Sequence, residues 1–196
     1  MILKTAGEKR SEGIRCVKSF YRWGSHWTAT SPGPTGRPTG ASLPRTPELK
    51  ARKLEWLERV GAHMMGRITY QEMASHWPSS DSDYAPPMNE IPKVVFSKTL
   101  AEANWADSQI ARGDLAEEIA RLKGESGLDM IAWGGGTFAQ ALARDGLIDE
   151  YRLIVHPVAL GGGLPLFNDL AAPLHLDLMQ TMRFPTGRVA HVYRKA

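Results

Sequence analysis

One short stretch of the chain has the residue types needed to bind an anion. It is MGRITY (residues 65–70), and it stands between an apolar run and a helical pattern. Gly66 lets the backbone approach a ligand closely, and a helix start offers free N–H groups to an anion. Arg67 can hold a phosphate with two hydrogen bonds, and the Thr69 hydroxyl can add another. A plain helix start with a solvated arginine is the alternative interpretation.

A second stretch, VVFSKT (residues 94–99), ends a β-branched run with two hydroxyls and a cation. Ser97, Lys98 and Thr99 together suit a ribose phosphate or the polar edge of an adenine. Serine and threonine are also common turn residues after strands, so this motif alone leaves both interpretations open.

The third stretch, WGGGTF (residues 133–138), is rich in glycine. Gly134, Gly135 and Gly136, followed by Thr137 at a helix start, remove side chains from the turn and favour a pyrophosphate seat. The motif is neither a Walker A loop nor G-x-G-x-x-G, and glycine runs also form plain tight turns. A second triple glycine, at 161–163, is interpreted as a turn bordering the ligand.

The elements around these loops alternate between strand and helix patterns. The first is a helix starting at Thr46-Pro47-Glu48. The predicted strands are at 62–65, 93–97, 128–133 and 150–158, and the predicted helices are at 69–76, 116–123 and 138–144. Two further strands are predicted at 174–182 and 188–193. This order predicts an α/β fold: a mostly parallel central sheet with helices on both faces and an antiparallel C-terminal hairpin at its edge. Ligands of such sheets bind at the carboxyl ends of strands, so the three loops should converge.

Composition narrows the class of protein. The chain has 196 residues, 42% hydrophobic and 23% charged, which fits one globular domain of ordinary size or one domain plus a tail. No apolar run approaches the ~20 residues of a membrane span, and the N-terminus lacks the apolar region of a secretory signal. A single cysteine, Cys16, excludes an internal disulfide and a cysteine-based zinc site, and it favours the cytoplasm.

Residues 1–45 differ from the rest of the chain. They hold eight Lys or Arg against two Glu, while the remainder is net acidic, and half of residues 31–44 are proline or glycine. We therefore predict a basic, Pro/Gly-rich leader at 1–45 that is disordered, and a domain at 46–196. Because the positive charge belongs to the leader and no nucleic-acid motif accompanies it, we expect no nucleic-acid partner.

Four motifs in order resemble one known family. MGRITY, VVFSKT, GGGTF and the run GLIDEYRL with PVALGGGLPLF (residues 146–167) are similar to the dihydrofolate reductase-like superfamily. They are most similar to the C-terminal reductase domain of the bifunctional riboflavin-biosynthesis deaminase/reductase, in its stand-alone bacterial form. The resemblance covers about residues 50–195 and implies the three-layer dihydrofolate reductase-like fold.

The resemblance also implies a function. NADPH is the expected cofactor, with Arg67 and Thr69 on its 2′-phosphate side, residues 97–99 at the adenosine end and residues 134–137 at the pyrophosphate. The expected reaction is hydride transfer to a small C=N or C=O group of a pyrimidine ribosylamine or a pterin-like molecule, as in 5-amino-6-(5-phosphoribosylamino)uracil reductase. The motifs name no proton donor. An NADP(H)-binding protein without turnover is the alternative, and the C-terminal edge allows a homodimer.

The chain departs from the family at its N-terminus. Family members begin with a strand and a Ser-Leu-Asp-Gly-Tyr-Ile-Ala-like loop that forms part of the substrate and nicotinamide pocket, and residues 17–41 show neither. Synonymous codons for residues 24–41, read from the last base of each codon, permit VSLDGYIAGPDGSTDWG. We therefore hypothesise that residues 1–44 are an out-of-frame translation. In that case the chain as written lacks a central strand and a pocket wall.

Overall fold

The computed structural model describes residues 46–125, 129–133, 136–157 and 165–196 in full, and the backbone alone of 14–23, 26–29 and 164. The strands are β1 (Ile14–Trp23), β2 (His26–Ala29), β3 (Val60–Gly66), β4 (Lys93–Phe96), β5 (Ser108–Ala111), β6 (Asp129–Trp133), β7 (Glu150–His156), β8 (Leu164–Pro165), β9 (Leu176–Arg183) and β10 (Val189–Lys195). The helices are α1 (Pro47–Leu57), α2 (Arg67–His76), α3 (Ala85–Glu90), α4 (Leu115–Glu125) and α5 (Gly136–Arg144), with a 3₁₀ turn at Trp77–Ser79.

The strands form one sheet in the order β5-β4-β3-β6-β1-β7-β10-β9. All neighbouring pairs from β5 through β7 are parallel, and β10 runs antiparallel to both β7 and β9. The short strands β2 and β8 pair antiparallel beside β1. The predicted α/β fold, with its mostly parallel sheet and C-terminal antiparallel hairpin at the edge, is confirmed.

Strand β1 lies inside the segment predicted as a leader. Its backbone pairs parallel with β6, where Ile14 is opposite Met130 in the register, and with β7, where Arg15 is opposite Glu150. The prediction that residues 1–45 stand apart from the sheet is therefore wrong for β1 and β2. The expected absence of a central strand is also wrong, because β1 occupies that position. The hydrogen bonds between strands are made by main-chain groups. A segment without a strand-like side-chain pattern can therefore still pair between two parallel strands. The rest of residues 1–45 lies outside the described residues.

Helices cover both faces of the sheet. On one face, Met64 and Val94 pack with Ile119 of α4 and Leu142 of α5 in the largest buried cluster. On the other face, the next residues along the same strands, such as Met65, belong to clusters with side chains of α1 and α2. This alternation gives three layers, as expected for a parallel sheet covered on both sides. Within the described residues, no helix is long and apolar enough to cross a membrane.

Local signals of the sequence explain several element ends. The Thr46 hydroxyl accepts a hydrogen bond from the Leu49 N–H (3.4 Å), which caps α1 as predicted. The Asp114 carboxylate accepts from the amides of Ala116 and Glu117 and caps α4. The turn between β9 and β10 needs the positive φ of Gly187 (77°), which glycine adopts without strain.

A lysine lies in the core at the amino end of β4. The Lys93 side chain is fully buried, and its Nζ donates to the carbonyls of Asn89 and Ala106 (2.9 Å to the latter). The ammonium also lies 4.7 Å from the centroid of the Trp105 ring, close enough for a cation–π contact. Burial lowers the pKa of Lys93, and the nearby charge of Asp107 partly opposes this. Lys93 therefore joins β4 to the chain segments on either side of it.

Candidate cofactor site at the carboxyl edge of the sheet

The three chemistry-bearing loops follow three neighbouring strands. The sheet places β4, β3 and β6 side by side, and all three run in the same direction. Gly66 pairs with Phe96, and Met64 pairs with Ala132, so the strands end at nearly the same level. Helix α2, the turn beginning at residue 97 and the start of α5 at Gly136 therefore lie at one edge, as the strand order of an open α/β sheet predicts.

The start of α2 has no side-chain cap. Gly66 occupies the N-cap position in an extended conformation, and no side chain caps the helix there. Helix N-termini carry unpaired N–H groups and a partial positive charge. Arg67 is exposed, and its Nη1 donates to Oε1 of Gln71 one turn further on (3.2 Å). Thr69, the third residue of the helix, is buried, with 9% of its surface exposed.

Phe138 of α5 packs at the meeting point of these strand ends. A Cβ added to Gly66 would lie 3.4 Å from the Cβ of Phe138, which is a tight contact. The Phe138 ring also stacks on that of Phe96, with the centroids 5.1 Å apart and the planes tilted by 33°. The absence of a side chain at Gly66 therefore lets the start of α5 approach β3 and β4 closely.

The second loop is a closed turn with an exposed tip. The Ser97 hydroxyl accepts hydrogen bonds from the amides of Thr99 (3.2 Å) and Leu100 (2.9 Å). Lys98 and Thr99 are exposed, while Leu100 packs into the cluster beneath. Ser97 thus acts first as a turn residue, and Lys98 and Thr99 are the parts of this loop open to a ligand.

The glycine loop is only partly described. Gly136 is buried and begins α5, and Thr137 is exposed in its first turn. Gly134, Gly135 and the second triple glycine at 161–163 lie outside the described residues. The described part places a helix start beside the end of β6, next to β3.

Two further residues line this edge that the sequence motifs did not indicate. Ile68 is a large apolar side chain that is 63% exposed beside Arg67. Arg112 follows β5, the strand next to β4, and is also exposed. The exposure of Ile68 could not be predicted from the sequence, because an isoleucine at a helix start usually packs inward. Arg112 follows a four-residue strand, SQIA, that the periodicity did not reveal.

A histidine of β3 and a tryptophan of β6 form a hydrogen-bonded pair. The Trp133 indole N–H donates to Nδ1 of His63 (2.8 Å), and Nε2 of His63 lies 3.0 Å from the Pro87 carbonyl oxygen. This geometry requires a neutral ring with its proton on Nε2. Burial lowers the pKa of His63 to about 4; the bond to Pro87 opposes this, and the charge of Lys93 adds to it. The His63 side chain is fully buried in the core.

His63 should make the protein sensitive to acid. Its pKa is lower in the folded chain than in the unfolded chain, so the unfolded state takes up the proton first as the pH falls. The contribution of His63 to stability is complete above about pH 6.5 and falls by about 3 kcal/mol as the pH reaches about 4. We expect His63→Gln to flatten the pH dependence of the urea midpoint in this interval. An identical slope in both proteins would contradict this assignment.

The fold and the site together define a class of protein. A three-layer arrangement of helices around a mostly parallel sheet with an edge hairpin is the dihydrofolate reductase-like fold. The family model described as the RibD C-terminal domain matches residues 25–190. The chain belongs to this family, whose fold is that of RibD-type reductases. The match begins inside the segment predicted as a leader.

Individual relatives agree with this placement. The protein YyaP of Bacillus subtilis (strain 168), which is uncharacterized, is 31% identical over 146 residues, covering 71% of this chain and 76% of YyaP. A Shewanella sp. PV-4 structure, provisionally assigned to riboflavin biosynthesis, has a TM-score of 0.74 at 22% identity and covers 94% and 99% of the two chains. Dihydrofolate reductase of Enterococcus faecalis, in complex with NADP(H), has a TM-score of 0.56 at 12% identity and covers 94% and 97%.

Proposed function

We propose that the protein is an NADPH-dependent reductase. The observation that carries the proposal is the convergence of three loops at one sheet edge, with an uncapped helix start at Gly66 and exposed cations at Arg67 and Lys98. Unpaired helix N–H groups and cations are the partners that phosphates require. The fold, shared with an enzyme that binds NADP(H), supports the same cofactor.

Each loop has a place in this proposal. Arg67 binds the 2′-phosphate side, and the exposed tip of residues 97–99 binds the adenosine end. The loop of residues 134–137 receives the pyrophosphate. Ile68 adds an apolar surface beside the phosphate site. Thr69 and Ser97 are buried or engaged in turns, so we assign them to shaping the site.

The substrate is proposed as a small molecule with a C=N or C=O group, of the pyrimidine ribosylamine or pterin type. Bound NADPH supplies the hydride. The task of the protein is to bind and orient the cofactor at the carboxyl edge and to exclude water from the reacting atoms. The described side chains assign no proton donor.

Titration calorimetry with NADP⁺, and absorbance at the reduced-nicotinamide band with NADPH, test the proposal. We expect the chain to bind NADP⁺ and to gain thermal stability from it. Arg67→Ala should weaken NADP⁺ binding by about tenfold, because it removes a charge-assisted contact to phosphate. Arg121→Ala is the matched control, since Arg121 is exposed and pairs with Glu118 and Glu125 of its own helix. No NADP⁺ binding by the unaltered chain would overturn the proposal.

A second candidate is a protein that binds NADP(H) without turnover. The observation that favours it is the composition of β1, in which Arg15 pairs with both β6 and β7, and Lys18 pairs with β7. A strand in that position is normally apolar throughout. Binding of NADP⁺ without NADPH oxidation, over a panel of pyrimidine and pterin substrates, would favour this candidate.

A further inference from the structure

We propose that Arg112 is a positioning residue that gives the site its preference for the 2′-phosphate of NADP(H) over the hydroxyl of NAD(H). The inference rests on the proposed function and names a residue that touches the loop and not the cofactor. Arg112 follows β5, so it comes from a fourth strand end at the same edge. It acts on the turn that carries Lys98.

The guanidinium of Arg112 reaches three carbonyls of one turn. Its Nη2 donates to the carbonyl oxygens of Leu100 (2.7 Å) and Ala101 (3.3 Å), and its Nη1 lies 3.5 Å from that of Lys98. Because these three carbonyls all bond to the Arg112 guanidinium, they fix the path of the main chain from Lys98 to Ala101. A planar fork of donors is suited to this task, and an ammonium group is not.

The same turn is also held by Ser97 and Leu100. Ser97 accepts from two amides of the turn, its own N–H donates to the Ala111 carbonyl (3.1 Å), and Leu100 packs into the core below. Lys98 and Thr99, between these hydrogen-bonded residues, remain exposed. Arg112 thus adds hydrogen bonds to a turn whose exposed tip carries a cation.

The consequence concerns selectivity between cofactors. A lysine held on a fixed turn adds binding energy to a phosphate that only NADP(H) carries, whereas a lysine on a loose turn must first lose conformational freedom. Because Arg112 acts through Lys98, its loss should reduce the preference for NADP⁺ and leave NAD⁺ binding nearly unchanged.

A double-mutant cycle tests this inference. Calorimetric dissociation constants for NADP⁺ and NAD⁺ are compared in the unaltered chain, Lys98→Ala, Arg112→Gln and the double variant. We expect Arg112→Gln to reduce the NADP⁺ preference by about tenfold, and to have no further effect when Lys98 is alanine. Arg112→Lys should fail to restore the preference, because it restores the charge without the fork. Arg121→Gln controls for the loss of an exposed arginine.

The outcomes separate the possibilities. An equal effect of Arg112→Gln in both Lys98 backgrounds, with rescue by Arg112→Lys, would show direct contact with the phosphate and overturn the positioning role. Equal losses for NADP⁺ and NAD⁺ would show a merely structural role and also overturn it. An unaltered chain that binds neither nucleotide would instead overturn the proposed function, and this inference with it.

Discussion

Replacement of residues 24–40 by VSLDGYIAGPDGSTDWG should raise the rate of NADPH oxidation on a pyrimidine or pterin substrate by on the order of 100-fold. The replacement is the peptide that synonymous codons permit in the shifted frame, and it supplies the loop that the family resemblance places in the substrate and nicotinamide pocket. Loops that position a substrate contribute to the rate by orienting the reacting atoms. Steady-state absorbance at the reduced-nicotinamide band measures the change.

The matched control is a variant in which the same seventeen residues are shuffled. It has the same length and composition, so it should leave the rate at the level of the unaltered chain. Equal activity of the shuffled and ordered variants would reject the out-of-frame hypothesis. Codons for residues 24–41 that cannot encode the shifted peptide would reject it independently.

Shortening Lys93 to alanine should lower the free energy of unfolding by about 4 kcal/mol. The change leaves a cavity beside Trp105 and removes the donor from two part-buried hydrogen bonds, those to the carbonyls of Asn89 and Ala106. Globular domains are stable by only about 5–15 kcal/mol, so this loss is a large fraction of the total. Urea unfolding followed by tryptophan fluorescence measures it.

Lys123→Ala is the control for the loss of a lysine. Lys123 is on the surface of α4 and pairs with Asp149 at 2.8 Å, so its removal should cost less than about 1 kcal/mol. Similar small losses for both variants would show that the buried ammonium contributes no net stability.

Lys93 also predicts the alkaline behaviour of the protein. Burial lowers its pKa in the folded chain below the 10.5 of the unfolded chain, so the unfolded state holds the proton more tightly. Stability should therefore rise with pH between the lowered value and 10.5, relative to a Lys93→Met variant that cannot titrate. A parallel pH dependence of the two proteins would contradict the lowered pKa.

The sequence was most informative where local chemistry decides the structure. The cap at Thr46, the turn at Gly187 and the runs of β-branched residues led to correct elements, because those signals act over a few residues. Strand β5 was missed because SQIA alternates weakly, and α3 was missed because its two prolines, Pro86 and Pro87, indicate a turn. Prolines are nevertheless compatible with the first turn of a helix.

The site was predictable to the level of loops and not of individual contacts. The rule that ligand loops follow parallel strands brought Gly66, Ser97 and Gly136 to one edge. The role of Ser97 in closing its turn, and the contacts of Arg112, depend on main-chain carbonyls and amides brought together by folding. Such partners have no residue type of their own, so no sequence pattern indicates them.

The position of β1 has a consequence for how the chain folds during synthesis. Its partners on either side, around Met130 and Glu150, are made more than a hundred residues later. At the usual rate of translation, β1 leaves the ribosome roughly ten seconds before either partner exists. Until then β1 can pair only with β2, which follows it directly in the chain, so the two halves of the sheet cannot be joined until nearly the whole domain has been made, and such long-range pairing folds slowly.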